Sequence, residues 1–411
     1  MDARNARCNV MNAAYSAVAL NLFTPFVKKM AIEMGANNLQ LGYLSSWPSA
    51  ASVVAVMGAA AAVARAKNKK RLIAAIFLLG RAAALGAAVV PWLPPATHVW
   101  ALIFFWVLAS FPQSAAGTVL QSFIADVFPE GERVRALASR QSWTTGVGMV
   151  VALGAGLLLD DVFPNPLGYQ ILFAVSFLFA LIEVYYLMRM EAPAEPPARP
   201  ARGPQPVRGL KNYIAVFQHK PFARFMAASL LFHFTWQMAW PLFDRFQITD
   251  LGADNTWLVI LSVINSLVGV LTYPIWARMA ERFGNLNMMS VAAVMMAAAP
   301  ILNAVLYTIQ QVALINFFTG ISVAGITLVL MNSLLEVSPD EGRPLYLAVH
   351  AALISVSATI APMVGAWMLD TFPIRLGFVI CTVFRLATAP GFLWARTGGS
   401  QGNRQEATKS A

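Results

Sequence analysis

The sequence predicts an all-α integral membrane protein, with twelve transmembrane helices in two pseudo-symmetric six-helix bundles. Three observations predict this fold. The 411 residues are 58% hydrophobic and only 12% charged, with a mean hydropathy of +0.62, which is far from the balance of a soluble domain. Apolar runs of about 20 residues, long enough to cross a bilayer, alternate with short polar breaks. The two halves of the chain also repeat each other.

The apolar runs are predicted to be helices, because backbone polar groups cannot remain unpaired in hydrocarbon. In chain order they cover residues 8–28, 39–63, 72–92, 97–127, 135–159, 168–190, 221–246, 255–278, 286–308, 310–336, 346–369 and 376–396.

The repeat appears in two motifs. "GANNLQL", from Gly35, returns 217 positions later (252 − 35) as "GADNTWL", from Gly252. "DVFPEGER", from Asp126, returns 210 positions later (336 − 126) as "EVSPDEGR", from Glu336. A near-constant offset of half the chain indicates duplication of one ancestral half. Duplicated halves around a central site are typical of secondary transporters.

The seam between the halves is predicted at a segment rich in proline and arginine. Residues 191–212 hold six prolines and little that could be buried, so an extended cytoplasmic linker is expected. The predicted divisions are an N-terminal half over 1–190, a linker over 191–220, a C-terminal half over 221–396 and a cytoplasmic tail over 397–411.

The distribution of basic residues predicts the orientation. Of 29 Lys and Arg residues, 23 fall at the N-terminus, after even-numbered helices or in the tail; the other six are Lys28, Lys29, Arg81, Arg245, Arg375 and Arg385. Basic residues concentrate on the cytoplasmic side, so both termini are expected there, in a cytoplasmic (inner) membrane. This bias accounts for most of the net charge of +10, and no nucleic-acid partner is expected.

Three ionisable residues are predicted inside the bilayer, where each costs about 2.5–3.5 kcal/mol. They are Arg81 in helix three, Glu183 in helix six and Arg385 in helix twelve. One interpretation is structural: Arg81 pairs with Glu183, and Arg385 binds backbone carbonyls or a polar neighbour. The other is functional: a positive field favours an anionic substrate.

Helix seven carries the strongest candidate site. His233, Gln237, Trp240 and Asp244 are spaced 4, 3 and 4 apart, which predicts one helical face. His233 and Asp244 are the candidates for proton coupling, and Gln237 and Trp240 for holding substrate. Interhelical hydrogen bonding, at about 0.6 kcal/mol a pair, is the alternative role. Further cavity candidates are Asn12, Tyr15, Gln113, Gln121, Asn316 and Asn332.

Three motifs carry a resemblance to the major facilitator superfamily. "ADVFPEGERVRALA" resembles its acidic-x-x-Pro-x-x-x-Arg element, and "LEVSPDEGRPLYLA" is the second copy. "ARMAERFGN" is similar to its loop motif, with Glu281 for the usual Asp. "APMVGAWMLD" matches a Pro-x-x-Gly pattern through Pro362 and Gly365. The resemblance covers residues 8–396.

The resemblance implies that helices one, four, seven and ten line a central cavity. It places helices three and twelve at the periphery, which counts against substrate contact by Arg81 or Arg385. It also implies a gate in which Arg65 pairs with Asp126, and Arg282 or Arg343 with Glu336. Ala64 stands where the loop motif has an acid and Lys67 where it has a glycine. This departure is expected to weaken the interaction between the loop and Asp126. The implied gate residues are Arg65, Asp126, Arg133, Glu281, Arg282, Glu336 and Arg343.

The favoured function is secondary active transport of a small organic solute by alternating access, coupled to protons. We expect a monomer in the lipid bilayer, with no cofactor and no metal. The sequence has no zinc motif, Walker loop or nucleophile elbow, so transport would be driven by a gradient. Two alternatives stay open: a membrane-embedded enzyme acting on lipids or isoprenoids, and a transport-dead scaffold or sensor.

Overall fold

The computed structural model describes residues 3–65, 68–163, 166–191, 214–339 and 342–395, and every regular element in these ranges is helical. The helices are α1 (Ala3–Asn21), α2 (Val27–Glu33), α3 (Asn38–Arg65), α4 (Lys69–Val89), α5 (His98–Val127), α6 (Glu130–Leu157), α7 (Leu167–Arg189), α8 (Lys220–Met238), α9 (Trp240–Arg245), α10 (Asn255–Phe283), α11 (Asn285–Val305), α12 (Ile309–Val337), α13 (Arg343–Thr371) and α14 (Ile374–Leu386). A further helical segment covers residues 389–395. Ten helical stretches in the described ranges are long and apolar enough to span a membrane. The predicted all-α membrane fold is confirmed.

Three predicted spans are each divided into two helical pieces. The run 8–28 separates into α1 and α2, 221–246 into α8 and α9, and 376–396 into α14 and the segment 389–395. A proline stands in the first turn that follows each break, where its missing N–H removes no helical hydrogen bond. These prolines are Pro25, Pro241 and Pro390.

The chain forms two compact units. The first comprises Met1–Pro200 with Gly252–Val259, and the second comprises Ala201–Leu251 with Ile260–Ala411. Within the first unit, α5 packs on α3 and α4, and α7 packs on α1 and α4; within the second, α11 packs on α12 and α14, and α8 on α13. Most of the predicted linker and the whole predicted tail lie outside the described residues, so those divisions stay predictions.

The duplicated motifs share a backbone conformation. Gly35 has φ +85° and Gly252 has φ +64°, the left-handed region that glycine enters without steric cost. Two residues after each glycine, a side chain caps the helix that follows. Asn37 Oδ1 accepts from the backbone N–H three residues on at 2.8 Å, and Asp254 Oδ1 does the same at 2.6 Å.

Trp106 completes the backbone hydrogen bonding of a neighbouring helix. Pro48, inside α3, has no N–H to donate to the carbonyl of Leu44 four residues earlier. Trp106 Nε1, from α5, donates to that carbonyl at 3.0 Å. Because unpaired carbonyls are costly in a membrane, this bond fixes the position of the indole.

Arg385 does the same in the second unit. Pro300 cannot donate to the carbonyl of Met296, and Arg385 Nη1 donates to it at 2.8 Å. Arg385 Nη2 donates at 3.3 Å to the carbonyl of Thr235, in the last turn of α8. The Arg385 side chain is fully buried, and the bonding to backbone carbonyls that one interpretation predicted is present.

Candidate functional site

Arg81 and Glu183 form a buried ion pair within the first unit. Arg81 Nη2, on α4, lies 3.2 Å from Glu183 Oε2, on α7, and Arg81 Nε lies 3.4 Å from the same oxygen. Arg81 Nη2 also donates to Ser16 Oγ of α1 at 3.4 Å. The Glu183 side chain is fully buried, and its Oε1 has no hydrogen-bond partner among the described residues. The ion pair predicted from the sequence is present.

A second arginine joins this pair through Asn12. Asn12 is fully buried; its Nδ2 donates to the Glu183 carbonyl at 2.7 Å, and its Oδ1 accepts from Arg140 Nη1 at 2.7 Å. The sequence interpretation grouped Arg140 with the cytoplasmic loop residues, but the structure places its guanidinium against α1. Arg81, Arg140, Glu183 and Asn12 are here termed the charge cluster. It contains two guanidinium groups and one carboxylate.

A cavity of about 340 Å³ lies entirely within the first unit, and one member of the charge cluster, Arg81, lines it. Arg81 lines it from α4, and Gln113, Ser110 and Trp106 line it from α5. Asn21 and Phe23 contribute from α1 and the turn that follows. The family resemblance placed helix three at the periphery of the central cavity, which counted against substrate contact by Arg81; in the structure Arg81 lines this cavity of the first unit. Of the predicted cavity residues, Gln113 lines it.

The other predicted cavity residues of the first unit have different surroundings. Tyr15 stacks on Tyr186 and Phe179 of α7, with ring centroids 5.6 and 6.0 Å away. Both polar groups of the Asn12 side chain are used inside the charge cluster. The side chain of Gln121 lies outside the described part of the structure.

The second unit contains a buried histidine pair. His233 of α8 and His350 of α13 have ring centroids 6.1 Å apart, and both are buried. Ser229 connects them: its Oγ lies 2.9 Å from His350 Nε2, and its carbonyl accepts from His233 Nδ1 at 2.8 Å. A carbonyl only accepts, so Nδ1 of His233 carries a proton.

The structure divides the predicted stripe on helix seven between two helices. His233 and Gln237 lie on α8, whereas Trp240 and Asp244 lie on α9, beyond the break at Ala239. Proline in the first turn of α9 is the physical reason for the break. The Gln237 side chain faces α13, where Ser357 Oγ donates to its Oε1 at 2.6 Å.

The two gate acids contact a lysine and an asparagine in the part of the chain that the structure describes. Asp126 Oδ2 lies 2.5 Å from Lys69 Nζ, at the start of α4; the side chain of Arg65, the predicted partner, is not among those described. Glu336 Oε2 accepts from Asn285 Nδ2 at 3.0 Å, at the start of α11. In the described contacts its partner is thus an amide and not Arg282 or Arg343.

The remaining predicted site residues bond locally or lie exposed. Asn316 Nδ2 donates to the Val312 carbonyl of its own helix at 3.0 Å. Arg133 Nε donates to the Phe128 carbonyl at 2.9 Å, and Arg343 begins α13. The exposed side chains are Glu281, Arg282 and Asn332.

A family comparison identifies the protein class. The model of the Major Facilitator Superfamily matches residues 10–261 and 225–410. The chain belongs to the Major Facilitator Superfamily. It is therefore an integral membrane transporter of the secondary type and not an enzyme. No curated protein sequence matches it.

Solved structures share this superfamily fold. A bacterial homolog of the human lysosomal transporter Spinster, inward-facing and unoccupied, matches with a TM-score of 0.72 at 12% identity, covering 98% of each chain. The nucleoside transporter NupG matches with a TM-score of 0.73 at 13% identity, over 96% of this chain and 99% of that one. A D-xylose-proton symporter matches with a TM-score of 0.66 at 10% identity, over 95% and 96%. At sequence identities of 10–13% these matches show a shared fold and carry no information about the substrate of this chain.

Three residues with polar contacts in this superfamily member were not selected by the sequence analysis: Arg140, His350 and Trp106. Arg140 and His350 lie close to the starts of predicted spans 135–159 and 346–369. The criterion that selected Arg81, a position near the middle of a span, therefore did not select them. Trp106 carried no such signal. Its place in the cavity depends on a carbonyl freed by Pro48 on another helix.

Proposed function

We propose that this transporter moves a small organic solute by alternating access and couples the movement to protons. The observation that carries the proposal is the buried pair His233–His350. Ionisable groups inside a membrane protein are costly and mark functional sites by default. Histidine is the side chain whose ordinary pKa lies nearest physiological pH.

The contacts of the pair suit a group that gains and loses one proton. In the neutral tautomer that has no proton on Nε2, His350 accepts a hydrogen bond from the Ser229 hydroxyl. When His350 is protonated, Nε2 donates to the same oxygen. Two imidazolium charges with ring centroids 6.1 Å apart would repel each other. The pair is therefore suited to carry one added proton at a time, and a second one is disfavoured.

Other groups complete the proposal. Asp244, on α9, is a second protonation candidate, and Gln237 and Trp240 are candidates for substrate contact. The basic residues favour cytoplasmic N- and C-termini in a cytoplasmic membrane. We further propose that the protein acts as a monomer.

The test is uptake by proteoliposomes under an imposed pH gradient, after a thermal-shift screen has identified a solute that stabilises the purified protein. We expect gradient-driven uptake to fall by about tenfold or more in His233→Gln and His350→Gln, because a glutamine side chain cannot gain or lose a proton in this pH range whereas an imidazole can. Asp244→Asn tests the alternative carrier.

His98→Gln is the matched control. This histidine begins α5, and its Nε2 lies 2.7 Å from the Leu93 carbonyl in the preceding turn. It should keep the uptake rate and the pH profile. If His233→Gln, His350→Gln and Asp244→Asn all behave like His98→Gln, proton coupling through these residues is excluded.

A further inference from the structure

We propose that the cavity of the first unit binds the carboxylate of a small organic anion at Arg81. Only one part of this inference rests on the proposed function: that the bound anion is also the transported solute. It adds a chemical class for that solute and a place for it within one unit.

Charge balance is the first argument. The charge cluster contains the guanidinium groups of Arg81 and Arg140 but only one carboxylate, Glu183. No other Asp or Glu side chain is recorded in contact with the cluster in the described part of the chain. An excess positive charge is unfavourable in a low-dielectric interior. A ligand with one negative charge balances it, whereas a phosphate ester with two would reverse the sign.

The geometry of Arg81 is the second argument. Its contacts to Glu183 measure 3.2 and 3.4 Å, longer than the 2.7–2.9 Å typical of charge-assisted bonds. These contacts use Nε and Nη2, while Nη1 makes no recorded bond to a described residue. Arg81 also lines the cavity. A guanidinium held loosely on one side and facing a cavity on the other is suited to a planar carboxylate.

The unsatisfied oxygen of Glu183 is the third argument. Glu183 Oε1 is buried without a hydrogen-bond partner, which is costly for a charged group. Arg81 engages only one of the two oxygens of Glu183. The bidentate pairing that a guanidinium can give to a carboxylate is therefore not used within the protein, and a ligand carboxylate in the cavity could use it.

The other residues that line the cavity indicate what the part of the solute beyond the carboxylate must look like. Trp106 and Phe23 provide apolar surface, and the indole is fixed by its bond to the Leu44 carbonyl. Asn21, Ser110 and Gln113 add polar groups. The volume of about 340 Å³ falls near the lower end of the range for small-molecule sites. We therefore expect a monocarboxylate with a small aromatic or aliphatic body.

The first experiment measures the thermal stability of the purified full-length protein with acetate, butyrate, benzoate and phenylacetate. Each is compared with its amide, and phenyl phosphate is included as a dianion. At least one carboxylate should raise the melting temperature by about 2–4 °C more than its amide at saturating concentration. Carboxylates that never exceed their amides overturn the proposal, as does a larger effect of phenyl phosphate.

The second experiment repeats the comparison in variants, with the most effective carboxylate as probe. The double variant R81Q/E183Q removes both charges of the ion pair together and leaves Arg140 in place, so the net charge of the cluster is unchanged. If Arg81 itself holds the ligand, this variant should bind the carboxylate at least tenfold more weakly. S110L narrows the cavity without touching a charge and should weaken binding similarly. R71Q, an exposed arginine in the first turn of α4, should bind like the wild type. Full carboxylate binding by R81Q/E183Q overturns the assignment.

Failure of this inference is distinguishable from failure of proton coupling. If H233Q and H350Q transport normally while R81Q/E183Q loses carboxylate binding, the coupling proposal fails and the anion site stands. If R81Q/E183Q binds carboxylates normally while H233Q loses gradient-driven uptake, the reverse holds.

Discussion

Lys69 Nζ and Asp126 Oδ2 lie 2.5 Å apart, so the start of α4 is tied to the end of α5. The duplicated position in the second unit repeats this connection with different chemistry. There Asn285 donates to Glu336 at 3.0 Å and ties the start of α11 to the end of α12. An acid therefore closes the equivalent helix in both copies, and among the described contacts Asp126 forms an ion pair whereas Glu336 accepts from an amide.

Asp126→Asn should shift the conformational balance of the transporter while leaving expression nearly unchanged. Both side chains of the Lys69–Asp126 pair are about one-third exposed, at 32% and 30%, so the pair contributes at most about 1 kcal/mol. That free energy changes a two-state equilibrium by about fivefold. The measurement is the alkylation rate of single engineered cysteines, which is practical because Cys8 and Cys381 are both buried.

Asp161→Asn, at an exposed position in the turn after α6, is the control for this prediction. It should give the wild-type alkylation pattern. Identical patterns in Asp126→Asn and Asp161→Asn would contradict a gating role for Asp126.

Single substitutions in the buried ion pair should destabilise the protein more than the double substitution. Arg81→Gln or Glu183→Gln leaves one charge uncompensated, and we expect each to lower the free energy of unfolding by about 3–5 kcal/mol. Replacing both should cost less than either single change. Denaturant unfolding of the detergent-purified variants measures this. Additive effects would show that the two charges do not depend on each other.

Gly365→Ala should be strongly destabilising because α13 approaches the end of α8 at this position. A Cβ atom on Gly365 would lie 1.9 Å from the Met238 carbonyl oxygen, and backbone atoms cannot yield as a flexible side chain can. We expect a loss of about 1–3 kcal/mol or more. Gly154→Ala is the matched control, since open space surrounds its Cβ position. Equal melting temperatures for the two variants would contradict the close approach.

Arg385 and Pro300 should be energetically coupled. Arg385→Met removes the donor to the Met296 carbonyl, which we expect to cost about 1–3 kcal/mol. Pro300→Ala restores an N–H that can donate to that carbonyl. Its effect on the free energy of unfolding should therefore be about 1 kcal/mol more favourable in the Arg385→Met background than in the wild-type background. A double-mutant cycle of unfolding free energies measures the difference. A coupling energy of zero would mean that the guanidinium has another role.

The fold could be predicted from the sequence because membrane helices must be long, apolar and internally hydrogen-bonded. The breaks near Pro25, Pro241 and Pro390 could not be read from hydropathy, since the apolar runs continue across them. The residues themselves were visible, and a proline within a predicted span is a probable boundary.

The candidate site was predictable only in part. The Arg81–Glu183 pair followed from the sequence, since Glu183 was the one deep acid predicted in the same half. Asn12 was expected in a cavity, but the structure buries it against Arg140. Which side of a helix faces a neighbour depends on packing, and one polar residue does not determine it.

The carbonyls of Leu44 and Met296 imply an order of assembly. Each carbonyl belongs to a helix that cannot complete its own hydrogen bonding. The side chain that donates to it lies later in the sequence: Trp106 follows Leu44 by 62 residues, and Arg385 follows Met296 by 89. Before α5 and α14 pack beside them, α3 and α11 would each have one backbone carbonyl that no N–H of the same helix four residues on can pair. Each helix reaches its final state only when α5 or α14 arrives beside it.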